Sequence, residues 1–268
     1  MNAIRSGRCL AAAFMIVGLI IGCAAEPTAD EPAMEAASQP ALPTLNVGTS
    51  RTVPPIIFEE DGQTVGLEAD LARELAAALG MKARLVPMYW PNLIPELRAG
   101  RIDIIMAGMS ITDERKREVA FAEPYLTTGQ AALIRAADRP SLGTARQVLG
   151  TRRPIGVEVA STGEGFVSEQ MPRATRRSFP IVSKAVDALV LDDVDVVIHD
   201  RPTILWLARE HADDDLFVVP GRFTEESLAW AVQRDETALR QRINDVLEKW
   251  KRTGRLEEII ARWIPGSE

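Results

Sequence analysis

The sequence predicts an α/β protein built as two lobes joined by two hinge strands. Three observations predict it. Strand-like apolar runs alternate with helical patterns between residues 45 and 106; the alternation restarts near Pro154; and Ser227 to Gln233 reads as a strand returning toward the first unit. Strands alternating with helices imply mostly parallel sheets, which take their ligands beyond the carboxyl ends of the strands.

The elements follow in order. Leu45 to Thr49 reads as a first strand ending in a polar loop, and Asp61-Gly62 as a hairpin turn. Leu67, Leu71, Leu75 and Leu79 recur every four residues and Gly80 ends the run, the pattern of an amphipathic helix with a glycine stop. Arg84 to Pro87 follows as a strand, Asn92 to Ala99 as a helix, and Ile102 to Met106 as a buried strand broken only by Asp103. Gln130 to Arg135 reads as a strand leading out of the first lobe, and Asp138 to Ser141 as a loop with Ser141 as a cap. In the second unit, strands are expected near 154–157, 175–179, 194–199 and 216–219, with helices from Thr162, over 183–191 and over 202–210. Leu239, Ile243, Val246, Leu247 and Trp250, then Leu256, Ile259, Ile260 and Trp263, keep helical spacing and read as core stripes. The expected division is residues 45–137 with 221–268 in lobe 1, and 138–220 in lobe 2.

The start of the chain reads differently. Arg5 and Arg8 precede an apolar stretch from Leu10 to Ile21 that is short for a membrane span, so residues 1–23 are expected to be a signal peptide. Its end, Leu19 to Cys23, resembles a lipobox, which implies cleavage and acylation of Cys23 and attachment to a membrane through the lipid. Cys9 would leave with the signal, so the mature protein would hold no disulfide. Residues 24–44, rich in Ala, Pro and Glu, lack a hydrophobic period and are expected to be a flexible tether. Without Arg5 and Arg8 the chain has 29 basic and 38 acidic side chains, a formal −9. That balance and the lack of a basic stripe argue against nucleic acid.

One stretch organises the rest. After the Ile102 to Met106 run, Gly108 and Ser110 form a polar turn and Thr112 stands where a helix N-cap belongs, with Asp113 and Glu114 in the first turn. Arg115, three residues past the cap, can aim back at the strand end, and an arginine holds a carboxylate with two parallel hydrogen bonds. Ser110-Ile-Thr-x-x-Arg115 followed by Phe121-Ala-Glu-Pro-Tyr125 resembles the bacterial extracellular solute-binding proteins of family 3, the amino-acid-binding components of ABC importers. The resemblance runs from about Leu45 to the C-terminus. It implies a periplasmic-binding-protein-like clamshell, each lobe a mostly parallel sheet flanked by helices, working as a monomer with an ABC permease.

The resemblance also implies site residues. Ser110 and Arg115 would hold the ligand α-carboxylate, and Asp200, in Val196-Val-Ile-His-Asp200, the α-ammonium. The alternative for Asp200 is a helix N-cap before Pro202. The family's Gly-Thr-Thr turn reads Ala160-Ser161-Thr162-Gly163 here, so Thr162 and Ser161 are carried over although the glycine has moved; either could instead be a plain helix cap. Trp90 matches one ligand-sandwiching aromatic, while Val53 stands where the second is usual, which reshapes the pocket. Gly108 would offer a backbone N–H or C=O, and Arg51 reads as a solvated loop residue, with contact to an acidic ligand side chain as the alternative.

No nucleophile elbow and no metal-ligand spacing is present, and the core stripes do not form a cofactor box; His199 reads as a strand-end residue lining the cleft. The expected function is therefore capture of an amino acid or similar zwitterion between the lobes, in the periplasm, without catalysis. The rivals are a dehydratase of cyclic acids on the same fold, disfavoured by the lack of an acid/base pair, and a sensing module for a separate membrane partner.

Overall fold

The structure, a computed structural model, describes residues 42–265. The signal peptide, Cys23 and nearly all of the expected tether lie outside the described residues.

Two five-stranded sheets organise the chain. In the first, Thr44–Thr49 runs parallel to Lys82–Pro87 on one side and to Ile104–Ile105 on the other. Ala231–Val232 then pairs antiparallel with Ile104–Ile105 and with Ala120–Phe121. In the second, Pro154–Glu158 lies parallel between Thr175–Phe179 and Val196–Asp200. Gln130–Arg135 pairs antiparallel with Val196–Asp200 and with Leu216–Val218. Leu126–Thr128 and Glu226–Leu228 pair with each other as an antiparallel ribbon where the chain crosses between the sheets. These features define a two-lobed clamshell.

Side-chain periodicity explains the packing. The helix Leu67–Ala78 buries Leu67, Leu71 and Leu75 against the first sheet's core, and Gly80 follows it at φ 71°, where a side chain would be strained. Along Val196–Asp200, Val197 packs into one cluster of the second lobe, while Val196 and Ile198 pack into the other. This strand is thus buried on both faces, as the central strand of a sheet covered by helices on both sides must be. The C-terminal helices Thr237–Thr253 and Arg255–Trp263 return to the first core through Ile243, Leu247, Leu256 and Ile259. Asp61 and Gly62 both have positive φ, so the expected hairpin turn is present between Ile57–Glu60 and Gln63–Val65.

Four expectations need correction. Gln130–Arg135 belongs to the second sheet and not to the first lobe. An apolar run announces burial without saying in which sheet. The Ser227 to Gln233 run is two short strands, Glu226–Leu228 in the crossing ribbon and Ala231–Val232 in the first sheet. Of Ile102 to Met106, only Ile104–Ile105 is paired as a strand. Arg139–Leu142 is a helical turn and not a loop, because Pro140 suits a first helical turn; the Ser141 hydroxyl donates back to Asp138 O.

Candidate functional site

The carboxyl ends of both central strands meet at one cavity. Val53, Trp90, Ala107, Gly108, Ser110 and Arg115 line it from the first lobe. Gln130, Glu158, Ser161, Thr162, Gly163, His199 and Asp200 face them from the second sheet and its flanking helix.

The first-lobe wall follows from local rules. Thr112 caps the helix Asp113–Glu118, its hydroxyl accepting from Arg115 N at 3.1 Å. Gly108 turns the chain at φ 71°, and a Cβ there would meet Ile56 Cγ2 at 2.8 Å. Its N–H donates to the buried Glu68 at 2.9 Å, so only its carbonyl remains to serve a ligand. Arg115 reaches back as expected. One guanidinium nitrogen donates to Ser110 O at 2.9 Å and the other to Ala160 O of the second lobe at 3.2 Å. The guanidinium lies over the Trp90 ring, 5.2 Å from its centroid, and Trp90 Nε1 also donates to Ala160 O, at 3.1 Å. Among the described residues no carboxylate lies within 4.0 Å of Arg115, and desolvation lowers its pKa against the fields of Asp200, Glu226 and Glu114.

The second-lobe wall centres on Gln130. Its Nε2 has three acceptors in reach: Asp200 at 2.6 Å, Glu226 at 3.0 Å and Thr162 Oγ1 at 3.1 Å. Asp200 precedes the helix Arg201–Glu210, yet its side chain caps nothing. It is only 8% exposed, and burial pushes its pKa up to about 6. Ser161, by contrast, is the helix cap: it accepts from Glu164 N at 3.0 Å and donates to Glu158 O at 2.7 Å. Its hydroxyl is therefore occupied, as is that of Thr162, which accepts from Gln130 Nε2 and donates to Glu226.

The displaced glycine has a physical account. Ala160 keeps the left-handed backbone at φ 58°, which aims its carbonyl across the cleft at Trp90 and Arg115. Gly163 is needed for another reason, since a Cβ there would stand 2.8 Å from Gln130 Oε1.

Three residues were missed from sequence. Gln130 reads as strand. Glu226 stands in the crossing ribbon and accepts from Ser110 Oγ at 2.7 Å and Thr224 Oγ1 at 2.7 Å. Burial would raise its pKa, but the donors Ser110, Thr224, Thr162 and Gln130 outweigh that and lower it. Glu158 ends its strand 2% exposed, with Oε2 3.2 Å from Nε2 of His199, itself 6% exposed. The only sequence signal for Glu158 is a carboxylate closing an apolar strand just before a hydroxyl-rich turn. Arg51 pairs with Glu59 on the surface, away from the cavity lining.

A cleft between two α/β lobes, lined by an arginine on one side and a buried aspartate on the other, defines a solute-binding protein. Residues 45–266 match the bacterial extracellular solute-binding proteins, family 3, and the chain belongs to that family. It is 26% identical to the L-cystine-binding protein TcyJ of Escherichia coli (strain K12) over 265 residues, 98% of each chain. It is 32% identical over 210 residues to the ABC transporter glutamine-binding protein GlnH of Bacillus subtilis (strain 168), covering 76% of this chain and 74% of GlnH. An ancestral arginine-binding protein bound to glutamine superposes with a TM-score of 0.77 at 33% identity, covering 82% of this chain and 97% of that one.

Proposed function

We propose that this chain captures an amino acid between its lobes and hands it to an ABC importer, with the ligand α-carboxylate on Arg115 and its α-ammonium on Asp200. The observation that carries the reading is Arg115 itself. It is desolvated and fixed by Trp90, Ser110 O and Ala160 O, yet paired with no carboxylate among the described residues. A cation in that state is stabilised by an incoming anion, and an arginine takes a carboxylate in two-pronged fashion. Asp200, across the same cavity, suits a primary ammonium. Thr162, the Gly108 carbonyl, Trp90 and Val53 complete the enclosure, and Ser110 contributes from its turn. Ser161 shapes the wall as a cap.

Closure follows from the ligand touching both lobes, because a ligand that binds the shut form more tightly than the open one draws the protein toward the shut form. Binding without turnover is favoured by the stated functions of TcyJ and GlnH, both binding proteins. The lipobox-like Leu19 to Cys23 supports acylation of Cys23, and with it an extracytoplasmic protein tethered beside its permease. Cys23→Ser would then release the protein from the membrane fraction; normal retention of that variant removes the anchor.

A thermal-shift screen of the purified protein against the common amino acids tests the ligand class. A true ligand at 100 times its Kd stabilises the fold by about 2.7 kcal/mol. No response to any amino acid would contradict the reading.

A further inference from the structure

Glu158 and Asp200 line the cavity, Glu226 stands behind it bonded to Ser110 and Gln130, and the three carboxylates are not equivalent. Glu226 has both oxygens engaged by Ser110, Thr224 and Gln130. Asp200 accepts from Gln130 and faces the ligand ammonium in the reading above. Glu158 alone of the three keeps a buried oxygen, Oε1, without a hydrogen-bond partner among the described residues. Its neighbour His199 likewise has a buried Nδ1 without a partner, although its Nε2 meets Glu158 at 3.2 Å. Both residues line the cavity and both are more than nine-tenths buried. A buried carboxylate oxygen without a donor is costly, so such an atom beside a ligand cavity asks for a donor from the ligand.

Charge leads to the same place. Burial pulls the His199 pKa down, but the bond to Glu158 and the fields of Asp200, Glu158 and Glu226 raise it on balance. With His199 protonated, Arg115 and His199 oppose three carboxylates and one net negative charge remains; with His199 neutral, two remain. A zwitterion brings no net charge into the closed site and leaves that excess uncompensated. A ligand with one further positive group reduces it, and charges removed from water persist only when paired.

We propose that Glu158, held by His199, reads the ligand's side chain and selects one ending in a positive, hydrogen-bond-donating group. This deepens the amino-acid reading and rests on it. On the opposite wall Val53 and the Gly108 backbone carry no charge, and Arg115 there is the partner assigned to the ligand α-carboxylate.

Two isosteric pairs test it by calorimetry on purified protein: arginine against citrulline, and ornithine against norleucine. Each pair keeps the α-groups and chain length while removing the side-chain charge. Wild type is expected to prefer the charged partner of at least one pair by about tenfold or more, the scale of a charge-assisted hydrogen bond. Glu158→Gln, which keeps size and one acceptor, should bring that ratio close to one. Parity in both pairs for wild type, or an unchanged ratio in Glu158→Gln, overturns the proposal. If neutral amino acids bind and charged ones are not preferred, the amino-acid reading stands and only this inference falls. If no amino acid binds, both fall.

Discussion

The hydroxyl of Ser110 donates to the carboxylate of Glu226 at 2.7 Å, joining the site turn of the first lobe to the ribbon on which the chain crosses between lobes. Through its other oxygen Glu226 accepts from Gln130, which stands in the second sheet. One carboxylate therefore links both walls of the cleft and the ribbon that connects them. Arg115 and Trp90 add two further bonds across the cleft, both to Ala160 O.

Glu226→Ala should loosen the unliganded protein. The substitution leaves the Ser110 hydroxyl and the Gln130 amide without their shared acceptor, a loss of about 1–3 kcal/mol. Small-angle scattering without ligand should give a larger radius of gyration than wild type. An unchanged radius would mean that the crossing ribbon and the Ala160 contacts alone set the lobe spacing.

Glu68 gives the fold a pH dependence of defined sign. It is fully buried, accepts from Gly108 N, Tyr125 Oη and Trp230 Nε1, and burial raises its pKa from 4.5 to about 7. The folded protein then binds more protons than the unfolded chain between those values, so stability falls as pH rises from about 4.5 to 7. The loss attributable to this group is up to about 3 kcal/mol. Urea melts across that range should lose this slope in Glu68→Gln. A slope that survives the substitution belongs to other groups.

Ala160→Gly should stabilise the protein. A non-glycine residue in the left-handed region carries a strain of about 1–2 kcal/mol, and Ala160 sits there at φ 58°. Glycine removes the strain but adds freedom to the unfolded chain, for a net gain of about 0.5–1 kcal/mol. A lower melting temperature for Ala160→Gly would show that the alanine methyl packs usefully.

Affinity should rise with pH through the Asp200 titration. Only its ionised form pairs with an ammonium, and burial holds its pKa near 6 in the free protein. Moving from pH 7 to pH 5 should weaken binding about tenfold, and Asp200→Asn should bind weakly at both values. A pH-independent affinity in wild type would remove Asp200 from the ammonium site.

Much of this was legible before the structure. The four-residue leucine spacing from Leu67 to Leu79 gives its helix, and Thr112 and Arg115 behave as their spacing from the Gly108 turn requires. What stayed hidden is tertiary. Gln130, Glu158 and Glu226 are single polar residues at strand ends, and nothing local distinguishes them from solvated ones. They become site residues only because separate strands bring them to one cavity or to the acceptors around it. The Ala160 turn was likewise unreadable, since glycine is the residue ordinarily expected at positive φ.

The central claim is that one zwitterion spans Arg115 and Asp200. Calorimetry with the best amino acid from the screen, its amide and its deaminated acid tests this most directly. The amide lacks the carboxylate that Arg115 would take, and the acid lacks the ammonium for Asp200. Each analogue should bind more weakly than the parent by about 1.5–3 kcal/mol, the scale of a charge-assisted hydrogen bond. An amide or a deaminated acid that binds as tightly as the parent would contradict the account.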